Sequence, residues 1–154
     1  MSTRSTIEAF LDEHTAHCKK AIDLGCGERP YAEKIHCNCR GLDVNRKVKP
    51  DLTADFNEPL PLPDECADFV FSINTINYVR EKKLFAREMH RILRRKGSCL
   101  VGCMNFFVPH NSRFDTMTVF GLWRLLKEAG FKRIRPIDFV HAGFGGTVLL
   151  YAEK

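Results

Sequence analysis

The sequence predicts an α/β domain with a mainly parallel sheet, helices on both faces and an antiparallel edge strand. Short apolar runs alternate with segments whose apolar residues recur at helical spacing, which is typical of a parallel sheet with crossover helices. A glycine turn closes the first run, and the last two strands follow each other without a helix, which allows the antiparallel edge. The 154 residues suit a single domain, predicted over 1–154.

The first part of the chain is predicted to contain a helix and two strands. Ile7, Phe10 and Leu11 lie at helical spacing, so a helix within residues 1–19 precedes a core over 20–154. Residues 45–64 contain four prolines, which exclude a long helix and leave at most a short edge strand at 51–54. The elements between are a strand at 21–24, a short helix at 30–36 and a strand at 39–44.

The second part repeats the alternation. A helix over 81–95 is predicted to end at Gly97, which suits a C-terminal cap. Thr118 is predicted to cap a later helix that ends at Gly130. The apolar face of that helix is expected to hold Val119, Leu122, Trp123 and Leu126, and the remaining strands are expected at 68–73, 98–104, 132–140 and 146–152.

The composition is that of an ordinary globular protein, with 44% hydrophobic and 28% charged residues. No apolar run approaches the length of a membrane span, and the N-terminus carries Arg4, Glu8 and Asp12, so we expect a cytoplasmic location and no membrane contact. Seven scattered cysteines favour reduced thiols over disulfides. The His-Cys-Asn-Cys cluster at 36–39 lacks a second pair of ligands downstream, so no metal site is predicted.

The turn at residues 23–28, Asp-Leu-Gly-Cys-Gly-Glu, is the candidate cofactor loop. In such a sheet, ligands bind beyond the carboxyl ends of the strands, and glycines allow a ligand to approach the backbone. Asp23 would repel a pyrophosphate but could accept hydrogen bonds from a cationic aminoacyl group. Pro30 stands where the dinucleotide fingerprint needs a third glycine. Asp43, at the end of the second strand, is placed to accept hydrogen bonds from both hydroxyls of a ribose.

Residues 21–27, Ala-Ile-Asp-Leu-Gly-Cys-Gly, resemble the first motif of the class I S-adenosylmethionine-dependent methyltransferases. The resemblance covers about residues 20–154 and implies a Rossmann-like fold, S-adenosylmethionine as cofactor and S-adenosylhomocysteine as product. The other similar segments are Asp55 with the Leu-Pro turn at 59–64 and the strand at 68–70, the helix at 87–93 with Gly97, and the stretches Pro109-His110 and 118–131.

The resemblance also assigns roles by position. It implies that Gly25, Cys26 and Gly27 hold the methionine moiety beside Asp23, and that Asp43 holds the ribose. The adenine would lie against Asp55 and Phe56, and the sulfonium would be faced by Ser72 and Asn74.

Three departures from the family pattern affect the predicted site. Arg29 stands where many relatives carry a third glycine, and Asn77-Tyr78 replaces a common Glu-His pair after the fourth strand. The middle of the chain is abbreviated, so a helix that usually flanks the sheet is expected to be missing. The cofactor pocket is therefore expected to be more open than usual, or to be completed by a partner protein.

A base is needed only where the methyl acceptor must lose a proton, and His110 is the first candidate because it follows the fifth strand. Tyr78, Asp115 and His141 are the other candidates. The Asn-Pro-Pro-aromatic signature of nucleic-acid amino methyltransferases is absent at 72–77, which argues against methylation of exocyclic base amines. The net charge of +5 leaves RNA or another acidic acceptor open. The acceptor itself is not predicted.

Two other functions are compatible with such a sequence. The chain could be a non-catalytic S-adenosylmethionine-binding partner subunit, since a fold does not fix an activity. The second alternative, a nicotinamide-dependent oxidoreductase, is disfavoured by Pro30.

Overall fold

The computed structural model describes residues 2–104, 117–138 and 147–154. Within them, seven strands form one sheet in the order β3-β2-β1-β4-β5-β7-β6. The strands from β3 to β5 pair in parallel, and β7 and β6 are antiparallel to their neighbours. The predicted fold class is confirmed. The strands are β1 Lys20–Leu24, β2 Asn38–Asp43, β3 Leu52–Thr53, β4 Ala67–Ile73, β5 Leu93–Met104, β6 Lys132–Asp138 and β7 Thr147–Glu153, and the helices are α1 Thr3–Thr15, α2 Lys82–Ile92 and α3 Val119–Glu128.

The two faces of the sheet carry separate cores. The helix α1 covers one face, where Ile7 and Leu11 pack against Phe69, Phe71 and Leu100. The helices α2 and α3 cover the other face in a larger cluster. Burial on both faces explains why β4 is an almost uninterrupted apolar run. None of the helices among the described residues is long and apolar enough to cross a membrane.

A loop-rich crossover joins β2 to β4, as the prolines predict. Its only regular elements among the described residues are a 3-10 turn at Arg46–Val48 and the two-residue strand β3, which lies inside the predicted edge strand. Arg91, on α2, fixes the loop by donating to the carbonyl oxygens of Leu60 and Leu62 at 3.1 and 2.9 Å. Its guanidinium also bonds both carboxylate oxygens of the buried Glu88, at 2.8 and 2.7 Å. One helix residue thus holds a segment that has no helix of its own.

The predicted helix at 30–36 is wrong in extent. Only a 3-10 turn forms, at Ala32–Lys34. The chain has few residues between the glycine turn and the start of β2 at Asn38, and Arg29 adopts a left-handed φ of 57° that ends any continuous helix before Pro30. This segment therefore leaves part of the sheet face beside β1 and β2 without an α-helix.

The predicted helix cap at Gly97 is also wrong. The helix α2 ends at Ile92, and Gly97 lies inside β5. Between the pairs Ala67 with Leu93 and Phe69 with Ser98 the register shifts, so residues 94–97 bulge out of the ladder. A Cβ on Gly97 would lie 2.9 and 3.0 Å from two backbone carbonyl oxygens, which is why only glycine fits.

The cap predictions for α3 agree with the structure. The Thr118 hydroxyl accepts a hydrogen bond from the backbone N–H of Gly121 at 3.0 Å. Gly130 has a φ of 106°, and its N–H donates to the Lys127 carbonyl at 3.1 Å, which ends the helix. The predicted apolar face needs one correction: Trp123 is 39% exposed, whereas Leu125 is buried.

Candidate cofactor site

Two cavities open at the carboxyl ends of β1, β2 and β4. The smaller has a volume of about 410 Å³ and contains the glycine turn, and the larger, of about 590 Å³, extends towards the ends of β2 and β3. Both are lined by Gly25, Ile73 and Asn74, so they are adjacent subsites along one cleft. This is the edge of the sheet where ligands are expected in a doubly wound fold.

The glycine turn is pinned to the neighbouring strand. The backbone N–H groups of Gly25 and Cys26 both donate to the Leu42 carbonyl, at 2.8 and 3.0 Å. Gly25 has a φ of 86°, and a Cβ there would lie 1.9 Å from the Thr75 hydroxyl oxygen. The glycine is therefore required both by the backbone angle and by the close approach of the β4 loop. Cys26 and Gly27 complete the wall of the smaller cavity.

Asp23 is one of the residues that line the smaller cavity. It is only 9% exposed, and within the described part of the chain no hydrogen bond reaches its carboxylate. Burial raises the pKa of this carboxyl from 3.8 to about 7; Arg29 opposes the rise and Asp43 adds to it. A carboxylate that is largely removed from water and has no hydrogen-bond partner among the described residues is disfavoured, so this group gains from any ligand that brings a positive charge.

Asp43 lines the larger cavity and also holds the turn. One carboxylate oxygen accepts the N–H of Gly27 at 2.9 Å, and the other accepts the N–H of Asn45 at 2.8 Å. Each oxygen keeps a second lone pair for a ligand hydroxyl. The structure thus brings the predicted ribose acceptor into the larger cavity, bonded to Gly27 of the smaller one, and its contact with a ribose stays a prediction.

Asp55 and Phe56 also line the larger cavity. Hydrogen bonds from the backbone and side-chain amides of Asn57, both 2.9 Å, hold the Asp55 carboxylate and lower its pKa. Phe56 is buried, and its ring lies 5.3 Å from that of Phe85, so it belongs to the core and to the cavity wall at once. The position of both residues suits the predicted adenine subsite.

The two residues predicted to face the sulfonium separate in the structure. Asn74 lies in both cavities, with a left-handed φ of 57° and its amide oxygen accepting from the Thr147 hydroxyl at 3.1 Å. Ser72 is fully buried and lines neither cavity, because its hydroxyl donates to the Leu24 carbonyl at 2.9 Å. Ser72 thus ties β4 to β1, a position that does not favour its predicted contact with the sulfonium.

The predicted catalytic residues have different positions. Tyr78 lines the larger cavity and is 56% exposed, so its ring forms part of the rim. His110, Asp115 and His141 lie outside the described residues. Asn77 is buried, and its amide bonds both backbone groups of Met104, accepting at 2.9 Å and donating at 3.3 Å. This departure from the family pattern therefore fixes the end of β5.

Sequence reasoning missed several residues of the larger cavity. Val44 and Asn45 follow Asp43 directly, so their place after a strand end was a usable signal. Thr75 and Val79 carry no local signal, because the approach of the β4 loop to Gly25 is set by the packing of the sheet. Val44 is 60% exposed at the rim, which leaves apolar surface open to a ligand.

The site combines three features: a glycine turn over a cleft at the strand ends, a buried carboxylate, and a hydrogen-bond acceptor at the end of β2. Together they define an α/β protein that binds a nucleoside-like cofactor. The methyltransferase-domain family matches residues 22–101, which is about half of the chain. The chain belongs to this family, and the resemblance seen in the glycine turn is confirmed.

Known proteins agree with this assignment. A probable S-adenosylmethionine-dependent methyltransferase of Mycobacterium tuberculosis is 25% identical over 81% of this chain, which spans 57% of that protein's length. A methyltransferase structure from Archaeoglobus fulgidus has a TM-score of 0.77 and 14% identity, covering 99% of this chain and 95% of that one. The phosphoethanolamine N-methyltransferase 2 of Haemonchus contortus, in complex with S-adenosylmethionine, has a TM-score of 0.75 and 13% identity, covering 96% of this chain and 52% of that one.

Proposed function

We propose that this chain transfers a methyl group from S-adenosylmethionine to an acceptor. The observation that carries the proposal is the buried Asp23 carboxylate at one end of a cleft whose other end holds Asp55 and Phe56. S-adenosylmethionine has a cationic amino group at one end, an adenine at the other and a ribose between them. The cleft offers a chemically matching group for each of these three parts.

The charges of the cleft support this orientation. An ammonium group placed at Asp23 would supply the hydrogen-bond partner that the carboxylate lacks, and the ribose hydroxyls would meet Asp43 in the larger cavity. A dinucleotide in the same place would set its pyrophosphate against two carboxylates, which is unfavourable. The same charges thus favour an adenosyl sulfonium over a nicotinamide dinucleotide.

The protein's own contribution to methyl transfer would be alignment. The methyl group is already activated by the sulfonium, so holding the acceptor in line and excluding water supplies much of the rate. Asn74, at the junction of the subsites, would face the reacting end of the cofactor. Tyr78 and His110 stay as candidate bases for an acceptor that must lose a proton.

The acceptor class is a further part of the proposal. Arg46 and Lys47 are exposed on the turn that follows the cavity residues Val44 and Asn45, which favours an acidic acceptor such as a structured RNA. The open rim and the crossover without a helix favour a partner protein that completes the site. The seven free thiols support a reducing cytoplasmic location.

The first test is calorimetric titration of the chain with S-adenosylmethionine and S-adenosylhomocysteine, with NAD as the control ligand. Saturable binding of both, with no binding of NAD, is expected. Asp43→Ala should weaken binding at least about 100-fold, because two hydrogen bonds to a charged group are lost. Glu33→Ala, which removes an exposed carboxylate outside both cavities, should bind as the wild type does. Lack of binding by the folded wild-type chain would refute the proposal for the chain alone.

A second measurement separates catalysis from binding. Radiolabelled S-adenosylmethionine is incubated with the chain and fractionated cell extract, and label is sought in the RNA, protein and small-molecule fractions. Label in one fraction identifies the acceptor class. Cofactor binding without transfer to any fraction would instead favour the non-catalytic partner subunit.

A further inference from the structure

Arg29 holds a strained backbone position beside the cofactor turn. Its φ is 57°, in the left-handed region that favours glycine and costs another residue about 1 kcal/mol. Its N–H donates to the Cys26 carbonyl at 2.8 Å, and its carbonyl accepts from Ala32 at 3.1 Å, so the turn geometry fixes this angle. A glycine would adopt this backbone angle more easily. The presence of an arginine here is therefore explained by the contacts of its side chain.

The side chain of Arg29 folds onto β2. Its Nη2 lies 2.6 Å from a carboxylate oxygen of Asp51, and the same oxygen accepts the N–H of Gly41 at 2.7 Å. The N–H of Asp51 returns a hydrogen bond to the Gly41 carbonyl at 2.9 Å. A Cβ on Gly41 would lie 2.8 Å from the Cys26 sulfur and 3.3 Å from Cζ of Arg29. A side chain at this position of β2 would therefore collide with the glycine turn and crowd the guanidinium.

This arrangement places the guanidinium in the same cavity wall as Asp23, without a direct ion pair between them. Both residues line a cavity of about 170 Å³ beneath the turn. Among the described residues, the charge of Arg29 stabilises the Asp23 carboxylate and the charge of Asp43 opposes it. The other titratable groups around Asp23 are Cys26 on the turn, Tyr31 on the 3-10 turn and Cys39 on β2, which are neutral thiols and a phenol at neutral pH.

We propose that Arg29 is a positioning residue, which through Asp51 holds the glycine turn on β2 and places a permanent positive charge beside the buried Asp23. The inference rests on the proposed function, in which Asp23 must be a carboxylate to receive the amino group of the cofactor. A glycine at this position would relieve the backbone but would leave Asp23 without a nearby cation. The departure from the family's glycine thus tunes the charge of the cofactor site.

The test compares Arg29→Gly, which removes the charge and relaxes the backbone, with Arg29→Lys, which keeps the charge. Lys49→Gly is the matched control, because Lys49 is an exposed cation with a φ of 51° that lies away from Asp23. NMR titration of the Asp23 carboxyl carbon in the ligand-free chain is the first readout. The pH dependence of S-adenosylhomocysteine affinity is the second.

In Arg29→Gly, the pKa of Asp23 is expected to rise by about one unit, as for the loss of one close opposite charge. Affinity near pH 7.5 should then fall about threefold, since fewer molecules carry the carboxylate, and the pH midpoint of binding should move upwards. Arg29→Lys should restore most of both shifts, and Lys49→Gly should show neither.

An Asp23 titration in Arg29→Gly that matches the wild type would overturn the inference, as would binding in that variant equal to the wild type at every pH. The titration is read without ligand, so it decides the role of Arg29 even in a chain that fails to bind S-adenosylhomocysteine. Failure of wild-type binding refutes the proposed function, whereas an unshifted carboxyl refutes only the role of Arg29.

Discussion

Replacing Asp23 by asparagine should stabilise the ligand-free protein and weaken its cofactor site. Burial raises the pKa of this carboxyl from 3.8 to about 7, so the folded state binds its proton more tightly than the unfolded chain does. The stabilising effect of the protonated form is complete below about pH 4 and is lost as the pH rises through about 7. A shift of this size corresponds to about 4 kcal/mol, which is the upper limit of the effect.

The assay is urea unfolding of the wild type and Asp23→Asn at about pH 8 and about pH 4. We expect the variant to be more stable by roughly 2 to 4 kcal/mol at the higher pH and nearly equal at the lower one. Its affinity for S-adenosylhomocysteine should fall at least about tenfold, as for loss of a hydrogen bond to a charged group. The opposite sign is expected for Asp68→Asn, because two backbone N–H groups and Arg94 hold the pKa of Asp68 low.

A variant that is no more stable than the wild type at the higher pH would refute this reasoning. A stability difference that is the same at both pH values would also refute it, because the cost of burying the charge exists only when the carboxyl is ionised. Either result would mean that water or a rearranged side chain already compensates the carboxylate.

Two further substitutions probe the anchor of the crossover loop and the glycine turn. Arg91→Ala leaves the buried Glu88 without its cation, so the free energy of urea unfolding should fall by about 3 kcal/mol. The exposed Arg124→Ala should change it by less than about 0.5 kcal/mol, and equal losses would contradict a special role for Arg91. Gly25→Ala puts a methyl group 1.9 Å from the Thr75 hydroxyl oxygen, so calorimetry should detect no S-adenosylhomocysteine binding. Wild-type affinity in this variant would show that the turn can move aside.

The fold could be predicted because its signals are local. The apolar runs, the glycine turn and the cap at Thr118 each lie within a few residues, and the structure places strands and a capped helix there. The helix end at Gly97 could not be predicted, because pairing with β4 draws residues 93–104 into a long strand with a bulge. Competition between a helix cap and a strand bulge is decided by distant partners, which a local pattern does not contain.

The candidate site divides in the same way. Three residues of the larger cavity lie at or just after the ends of parallel strands: Asp43, Asp55 and Asn74. Their place at one edge of the sheet therefore follows from the topology. Ser72 lies before the end of β4, inside a strand that is buried on both faces. In such a strand the alternation of apolar and polar residues does not show which side chains reach a cleft. The pairing of Arg29 with Asp51 joins segments far apart in sequence and carried no signal at all.

Arg91 binds the crossover loop largely through hydrogen bonds to main-chain oxygens. Carbonyl groups are the same whatever side chain their residue carries, so these two contacts do not depend on the exposed side chains of the loop. The exposed side chains of this loop can therefore change without loss of its two backbone anchors. A domain built like this can acquire a new outer surface, suited to a different acceptor or partner, without moving the loop that carries it.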